Sequence, residues 1–581
     1  MSRTRRIVTK TPAVGRRGMV VAHNVEAAET AADILADGGS AFDAMVAASF
    51  VTAVREVAMN GIGGVGVLLA HSADTGQVSE INFYGRTPSG LAEDTFVPWL
   101  EPLDPNTPRT GFGWRSVRDG RHERGPLSVG IPTYVSGLAE LHARHGSRDW
   151  ADLLQPAIDL AAGGFAADEE DLATTATHLS ILERFDEFSR IFLANGLPMP
   201  GGFYQGEGIP VVQEDLAATL ACLARDGADA FYRGPIAEAI ASDVQRLGGV
   251  LSTEDLDRYR PEHGDGLRGS YLGHEIVVSS GMTGGLTLLQ MLNLAEELDL
   301  ASMDRTRPAF WHALAEVMRQ SWIDRFCFVG DPEGADVPLE ALVDKGYAAT
   351  VATNIGDRVA DQTTPGDPWT HLGRPGRDLV SGDPGGNDTT QLVVADGAGN
   401  VVTLTQTHGM AFGSCVVPRG TGVLLHDITM WMNPEPGTPN SVGPWKKQAG
   451  HAAPVMVLRD GQPVAALGAP GGRRVITSVF QSVLNIVGFG MDVQAAIAEP
   501  RIHVEGADPA APRGATVRTL VADDRLDPEI LAGLGDRGHD VVTVRETGTQ
   551  AALGKPLGIQ RRGDELIGGV DVFRRSVGIG I

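Results

Sequence analysis

The apolar residues in the first part of the chain recur mainly at the spacing of amphipathic helices. Between residues 26 and 54 they form two such segments separated by a pair of glycines, and Ser40 with Asp43 makes a capping box for the second segment. Residues 127–165 and 211–300 continue the helical pattern. The sequence therefore predicts a largely helical scaffold in this part of the chain.

Near residue 389 the pattern changes to the twofold alternation of β-strands. The runs 389–396 and 400–407 are rich in β-branched residues and flank a Gly-Ala-Gly turn, which predicts a hairpin. Residues 455–470 predict a second strand pair, and residues 475–490 predict a helix with one apolar face. Within the helical part, residues 270–280 predict a single strand. Strands with helices on both sides indicate a layered α/β sandwich.

Two glycine-rich segments were candidates for function. Residues 355–388 lack a hydrophobic period and are rich in Gly, Pro and Asp, so we expect a long exposed loop of the kind that is usually functional or disordered. The segment GIGGVG at 61–66 has the spacing of a dinucleotide-binding loop. It follows a predicted helix and precedes a predicted strand, which reverses the strand-loop-helix order that such a site needs, so nucleotide binding is rejected.

Composition narrows the class of protein further. The chain has 581 residues and a formal net charge of -25, without a basic stripe of interleaved aromatic residues, so nucleic acid is not an expected partner. No window approaches the roughly 20 apolar residues that span a bilayer, and the basic N-terminal segment lacks the apolar block of a signal peptide. The three widely spaced cysteines predict neither disulfides nor a metal cluster. We expect a cytoplasmic enzyme without a membrane partner.

The junction Asp388-Thr389 joins the predicted loop to the first hairpin, and the sequence around it resembles the γ-glutamyltranspeptidase family of N-terminal nucleophile hydrolases. The resemblance extends in order along nearly the whole chain. Its segments include GMVVAHNVEAAETAADILADGGSAFDAMVAA, GIGGVGVLL, GPLSVGIPTYVSGLAELHARHG, LLQPAIDLAAGGF, FYRGPIAEAIASDV, GGVLSTEDLDRY, GNVVTLTQT, FGSCVVPRGTGVLL, PGTPNS and LGAPGGRRVITSV.

The resemblance implies a four-layer αββα sandwich that cuts itself between Asp388 and Thr389. The products would be a large fragment of residues 1–388 and a small fragment of residues 389–581, associated with each other. Cleavage would free an α-amino group on Thr389, whose reference pKa near 8 suits it to accept the proton of its own hydroxyl. This chemistry requires neither a metal nor an organic cofactor.

Three further residues acquire roles through the resemblance. Thr407, which shares a strand face with Thr405, matches the threonine that hydrogen bonds to the nucleophile; without the resemblance both threonines are ordinary cross-strand residues. Gly471 and Gly472 match the glycine pair whose amides form the oxyanion hole, where bare backbone must approach the substrate. A simple turn between strand and helix is the alternative for this pair.

Several positions depart from the pattern of a true γ-glutamyl enzyme, which must bind an α-carboxylate and an α-ammonium. Tyr84 stands at the family's arginine, with Arg86 two residues on as a possible substitute. Met430 and Trp431 stand near the family's acidic pair, and Gly450 with His451 stands at its serine pair. Gly409 stands at the family's asparagine two residues after the second threonine. Replacing a carboxylate by an indole removes the partner of the ammonium, so we expect glutathione to bind poorly.

The sequence therefore predicts an enzyme that hydrolyses or transfers an acyl group of a small molecule through an acyl-Thr389 ester. The candidate pocket lining is Tyr84, Arg86, Trp431 and His451, each of which has packing as its alternative. The bond broken could be an amide bond or an activated C–C bond. The alternatives are an authentic glutathione hydrolase or γ-glutamyltransferase with a rearranged pocket, and a non-catalytic descendant that keeps the fold.

Overall fold

The protein is described by a computed structural model that covers residues 8–102, 114–201, 208–333, 336–375, 388–504, 517–548 and 552–581. The strands in chain order are β1 (Ala13–Gly15), β2 (Gly18–Ala22), β3 (Val65–Ser72), β4 (Gln77–Phe83), β5 (Leu193–Ala194), β6 (Leu197–Pro198), β7 (Glu262–Gly264), β8 (Leu267–Tyr271), β9 (His274–Val278), β10 (Asp388–Asp396), β11 (Val401–Gly409), β12 (Val455–Arg459), β13 (Gln462–Gly468), β14 (Ile502–Val504), β15 (Thr519–Asp523), β16 (Asp540–Val544), β17 (Leu557–Arg562), β18 (Glu565–Val570) and β19 (Val577–Gly580).

The α-helices in chain order are α1 (Val25–Ala36), α2 (Ala41–Arg55), α3 (Tyr134–His145), α4 (Trp150–Gly163), α5 (Glu169–Leu182), α6 (Asp186–Phe192), α7 (Glu214–Asp226), α8 (Asp229–Tyr232), α9 (Pro235–Arg246), α10 (Thr253–Arg258), α11 (Gly285–Glu297), α12 (Pro308–Phe328), α13 (Leu339–Leu342), α14 (Lys345–Ala352), α15 (Pro368–His371), α16 (Arg474–Val483), α17 (Val493–Ala498) and α18 (Pro528–Asp536). Among the described residues, no helix is both long and apolar enough to cross a membrane.

Two antiparallel seven-stranded sheets form the centre of the molecule. The nucleophile sheet, which contains the predicted cleavage site, has the order β19-β2-β10-β11-β3-β4-β7. The second, or partner, sheet has the order β1-β18-β17-β13-β12-β9-β8. Each sheet therefore combines strands from both sides of the Asp388-Thr389 junction.

Apolar side chains fill three interfaces between four layers. Met19 and Val393 of the nucleophile sheet meet Met456 and Ile559 of the partner sheet in one cluster between the sheets. The outer face of the nucleophile sheet packs on α1, α2, α3 and α4, and the outer face of the partner sheet packs on α11, α12 and α16. The predicted αββα sandwich is confirmed.

Most of the local predictions are confirmed, and one is wrong. Ser40 and Asp43 form the predicted capping box of α2, and the predicted hairpins are β10–β11 and β12–β13. Residues 270–280 were wrongly predicted as one strand: β8 and β9 form a hairpin whose turn places Leu272 at φ 45° and Gly273 at φ 75°. Glycine takes such a φ readily, so Gly273 was the signal for the turn.

Two further features concern the segments flanking the sheets. Of the predicted loop 355–388, the described part is irregular apart from the short helix α15, and residues 376–387 lie outside the described residues. At the other end of the chain, the Ile581 carbonyl accepts the amides of Arg16 (2.8 Å) and Arg17 (2.7 Å). The last residue is thereby fixed beside the turn between β1 and β2.

Candidate active site

Thr389 lies at the start of β10, in the middle of the nucleophile sheet and opposite a β-bulge. Asp388 pairs with Gly409 and Thr390 pairs with Gln406, so β11 has one residue more than β10 across this step. A bulge twists the strand locally and changes the direction of a side chain. The predicted cleavage site therefore coincides with an irregularity in an otherwise regular ladder.

The bulge brings two threonine hydroxyls together. Thr389 Oγ1 lies 3.4 Å from Thr407 Oγ1 as the donor, and the Gly409 amide donates to Thr407 Oγ1 at 2.9 Å. Thr389 is 3% exposed and Thr407 is fully buried. Because the Gly409 amide fixes the Thr407 hydroxyl, Thr407 can in turn hold the Thr389 hydroxyl in one orientation.

The predicted oxyanion glycines follow a strand that touches the nucleophile strand. β13 ends at Gly468, where an added Cβ would overlap the side chain of Gln391, two residues after Thr389. Gly471 and Gly472 then have φ values of 134° and 57°, in the region that favours glycine, and α16 begins at Arg474. The turn thus carries bare backbone from the Gln391 contact to the N-terminus of a helix, where amides can face developing negative charge.

On the other side of the bulge, Gly409 makes room for two larger side chains. A Cβ at this position would overlap Asp427 Oδ1 and would lie 3.1 Å from Trp431 Nε1. Asp427 is buried 3.8 Å from Arg124, it accepts the amide of Met410 at 3.1 Å, and burial raises its pKa well above the usual range. Trp431 therefore lies next to Gly409, the residue that pairs with Asp388 at the predicted cleavage site.

A second glycine makes room for Tyr84. A Cβ at Gly450 would overlap the Tyr84 ring, which is buried in a small cluster with Val65, Val67 and Ala452. Burial also raises the Tyr84 pKa above its usual value, so its hydroxyl stays neutral. At two of the positions where the sequence departs from the family pattern, Tyr84 and Trp431, a bulky side chain thus lies against a glycine.

The structure brings Trp431 and His451 together, with ring centroids 5.1 Å apart. His451 is also 5.8 Å from the ring of Trp322, a residue of α12 that sequence reasoning missed. Asp427 was missed as well, although an acidic residue inside the apolar run 423–430 was a visible signal. For Trp322 the signal was its i, i+4 spacing from Phe326 on one helix.

Arg86 lines a pocket together with Tyr84, and its guanidinium is paired with carboxylates of the protein. Its guanidinium pairs with Glu262 at 3.0 Å and with both oxygens of Glu333, and Lys447 joins the same cluster. A substrate carboxylate would have to displace these partners. The role of Arg86 as a substrate ligand stays a prediction.

Among the described residues, one group has the composition of a metal site: His312, Glu316 and His539. His312 and Glu316 belong to α12, and His539 directly precedes β16. His312 Nδ1 and His539 Nε2 are 2.8 Å apart, and His312 Nε2 donates to the Gly356 carbonyl at 2.9 Å. Arg319 donates to Glu316 at 3.0 Å and to His539 Nδ1 at 3.3 Å. These bonds complete a chain of neutral rings beside a guanidinium, which does not fit a bound cation.

The sequence of this chain is similar to the sequences of known proteins. The gamma-glutamyltranspeptidase family profile matches residues 27–581. The chain is 32% identical over 537 residues to the glutathione hydrolase proenzyme of Bacillus subtilis (strain 168), covering 90% of this chain and 85% of that protein. It is also 32% identical over 534 residues to the acylase ACY 1 proenzyme of Pseudomonas sp. (strain SE83), covering 92% and 88%.

Among solved structures, the cephalosporin acylase from Bacillus halodurans superposes with a TM-score of 0.82. The alignment covers 98% of this chain and 97% of that one at 24% sequence identity, so it supports the fold.

Proposed function

Because the chain belongs to the gamma-glutamyltranspeptidase family of N-terminal nucleophile hydrolases, enzymes made as proenzymes, we propose that it cuts itself before Thr389 and then acts on acyl groups through that residue. The observation that carries the proposal is the pair of hydroxyls of Thr389 and Thr407, 3.4 Å apart at the bulge of the nucleophile sheet. An ordinary pair of strand threonines needs neither the bulge nor the glycine turn near Gln391.

Self-cleavage begins when Thr389 Oγ1 attacks the carbonyl carbon of Asp388. The C–N bond breaks, the nitrogen of Thr389 takes a proton, and Asp388 is joined to the Thr389 oxygen as an ester. Water then hydrolyses this ester, which leaves a carboxylate on Asp388 and a free amine on Thr389. The bulge supports this step because the register between β10 and β11 shifts between Asp388 and Thr390, at Thr389 itself.

In turnover the free amine accepts the proton of the Thr389 hydroxyl, and the oxygen attacks the acyl carbonyl of the substrate. The amides of Gly471 and Gly472 receive the resulting oxyanion, and Thr407 orients the nucleophile. The leaving group departs with a proton, which gives an acyl-Thr389 ester that water or an acceptor amine resolves. The same steps serve an amide bond, or an activated C–C bond whose carbon leaves as a stabilised carbanion and then takes this proton from the Thr389 amine.

The two fragments, 1–388 and 389–581, would remain associated after cleavage. β10 lies hydrogen bonded to β2, and β11 to β3, across the cut. In the partner sheet β12 pairs with β9 in the same way. Separation would break backbone hydrogen bonds in the interior of both sheets and expose the core between them.

We propose that the acyl group is not a γ-glutamyl group. Tyr84 fills the space beside Gly450, and Trp431 fills the space beside Gly409, so aromatic rings occupy the positions where the family pattern has charged or polar partners. Arg86, the nearest substitute cation, is paired with two glutamates. A buried ammonium or carboxylate without a partner costs several kcal/mol.

An authentic glutathione hydrolase remains the second candidate, because identity to the Bacillus subtilis glutathione hydrolase proenzyme equals identity to the Pseudomonas acylase. Turnover of γ-glutamyl p-nitroanilide against neutral acyl p-nitroanilides separates the two candidates. A kcat/KM for the γ-glutamyl compound above that of every neutral acyl compound would reject our choice of substrate.

The test of the nucleophile is processing. The wild-type chain should yield two bands on a denaturing gel, and N-terminal sequencing of the smaller band should read Thr-Thr-Gln-Leu. Thr389→Ala should leave one inactive band, whereas the matched control Thr390→Ala should still be cut. An uncut wild-type chain with full activity, or a cut Thr389→Ala chain, would disprove the scheme.

A further inference from the structure

A series of neighbouring rings begins with two residues of α12 and continues to His451 and Trp431, which lie outside that helix. Trp322 and Phe326 are one turn apart, with ring centroids separated by 5.4 Å. Trp322 lies 5.8 Å from His451, and His451 lies 5.1 Å from Trp431. At the other end, the guanidinium of Arg473 lies 5.6 Å from the centre of the Phe326 ring.

The two ends of this series lie beside two segments of the candidate active site. Trp431 is in contact range of Gly409, the ladder partner of Asp388. Arg473 directly follows Gly472 of the oxyanion turn. Through Trp322, Phe326 and His451, a chain of ring contacts therefore connects the predicted cleavage site with the predicted oxyanion turn.

One polar group in the series lacks a partner. The indole N–H of Trp322 is fully buried and makes no hydrogen bond. A buried donor without an acceptor costs about 1–3 kcal/mol, so one in a native protein needs an explanation. An acceptor atom brought by a ligand would satisfy this donor.

We propose that Trp322, with Phe326, His451 and Trp431, forms the acyl-binding wall of the active site. The wall selects an uncharged acyl group that contains a planar unsaturated segment and a hydrogen-bond acceptor for the Trp322 N–H. This inference rests on the proposed function, because it assigns the substrate class of the same acyl-Thr389 chemistry.

The chemistry of the wall favours this class over charged and saturated acyl groups. Ring faces and edges attract other planar groups by offset or edge-to-face packing, which contributes about 0.5–1.5 kcal/mol per pair beyond area burial. None of the four side chains in the wall is a carboxylate that could pair with an ammonium. At the end of the wall the Arg473 guanidinium lies over the Phe326 ring, so this cation already has an aromatic partner next to the oxyanion turn.

The experiment uses the processed full-length enzyme and a series of p-nitroanilides that share one leaving group. Acetyl, hexanoyl, phenylacetyl, phenoxyacetyl, 3-phenylpropanoyl and glutaryl compounds differ only in the acyl part. We expect kcat/KM for phenylacetyl to exceed that for hexanoyl and glutaryl by about 10-fold or more. We expect phenoxyacetyl to exceed 3-phenylpropanoyl, which has the same length without the ether oxygen.

Two substitutions at Trp322 distinguish the contribution of its aromatic ring from the contribution of its N–H group. Trp322→Leu should lower kcat/KM about 10-fold more for the phenylacetyl compound than for the acetyl compound. Trp322→Phe should restore the preference for aryl acyl groups but remove the advantage of phenoxyacetyl over 3-phenylpropanoyl. Phe310→Leu is the control, because Phe310 is a buried ring of the same helix that packs on Phe489, at 5.7 Å, and lies outside the wall.

The outcomes distinguish this inference from the proposed function. Turnover with equal rates for aryl and alkyl compounds, or equal effects of Trp322→Leu and Phe310→Leu on every substrate, overturns the acyl-binding wall and leaves the nucleophile in place. Preferred turnover of the glutaryl compound overturns it too. Absence of an N-terminal Thr389 and of a p-nitroaniline burst with all compounds overturns both.

Discussion

Thr407→Val is the sharpest test of how the candidate site is organised. Valine keeps the shape of threonine and the β-branched side chain that suits a strand, but it removes the hydroxyl. That hydroxyl accepts the Gly409 amide at 2.9 Å and the Thr389 hydroxyl at 3.4 Å. The substitution therefore leaves the backbone amide of Gly409 without this acceptor and frees the nucleophile to rotate.

The two losses have different magnitudes and different readouts. A buried donor left without its acceptor should lower the free energy of unfolding by about 1–3 kcal/mol. Loss of orientation at Thr389 should raise the activation free energy by about 1.5–3 kcal/mol, which corresponds to a roughly 10- to 100-fold slower reaction. We expect this slowing in the rate of self-cleavage and in kcat, and a much smaller change in KM.

The assay compares Thr407→Val with Thr407→Ser and Thr405→Val. Gel densitometry follows the precursor, release of p-nitroaniline follows turnover, and urea titration follows stability. Thr407→Ser keeps the hydroxyl and should recover most of the activity. Thr405→Val removes a hydroxyl on the same strand face that donates to Gln391 Oε1 at 2.5 Å, so it should lose stability without slowing cleavage. Equal slowing by both valine substitutions, or normal processing of Thr407→Val, would refute the orienting role.

Three further predictions follow from the packing around the site and from the histidine chain. Gly450→Ala should lower the free energy of unfolding by about 1–3 kcal/mol in urea titrations, because the new methyl group overlaps the Tyr84 ring. In a Tyr84→Ala background, where the ring is absent, the same Gly450→Ala change should not cause this loss. Arg86→Met should cost about 1 kcal/mol, since its glutamate partners are roughly half exposed, and should leave KM for γ-glutamyl p-nitroanilide within about twofold; a large rise in KM would make Arg86 a substrate ligand. Burial lowers the pKa of His539 to about 3, so the stability that depends on its neutral ring is complete above pH 6.5 and is lost as pH falls toward 3. Thermal unfolding should therefore show that the free energy of unfolding falls between pH 7 and pH 4.5 by roughly 2 kcal/mol more in wild type than in His539→Gln. Equal falls in the two proteins would contradict a neutral His539 ring.

The parts of the fold that the sequence predicted are those set by neighbours in the chain. The capping box of Ser40 and Asp43 involves residues one helical turn apart, and the β10–β11 hairpin follows from a glycine turn between β-branched runs. The position of Thr389 at the start of a strand could be predicted in the same way. The bulge opposite it could not, because it depends on the register between two strands rather than on either strand alone.

The composition of the pocket depends on contacts between distant segments, and there the sequence was less informative. Tyr84 and Gly450 are far apart in the chain, and only the structure shows that the glycine is what accommodates the ring. Trp322 belongs to a buried helix, where an aromatic residue is ordinary core, until its contact with His451 places it near the site. Arg86 gave no sign in the sequence that Glu262 and Glu333 would hold it.

The position of Ile581 beside Arg16 and Arg17 offers a way to uncouple maturation from turnover. A short linker from Ile581 to the residues before β1 would close the polypeptide into a circle without crossing either sheet, because Ile581 already contacts this turn. Opening that circle between Asp388 and Thr389 would yield a permuted protein whose first residue, once the initiator methionine is removed, is the proposed nucleophile Thr389. Such a protein would carry the reactive amine from synthesis onward, so variants that fail to mature could still be assayed for acyl transfer.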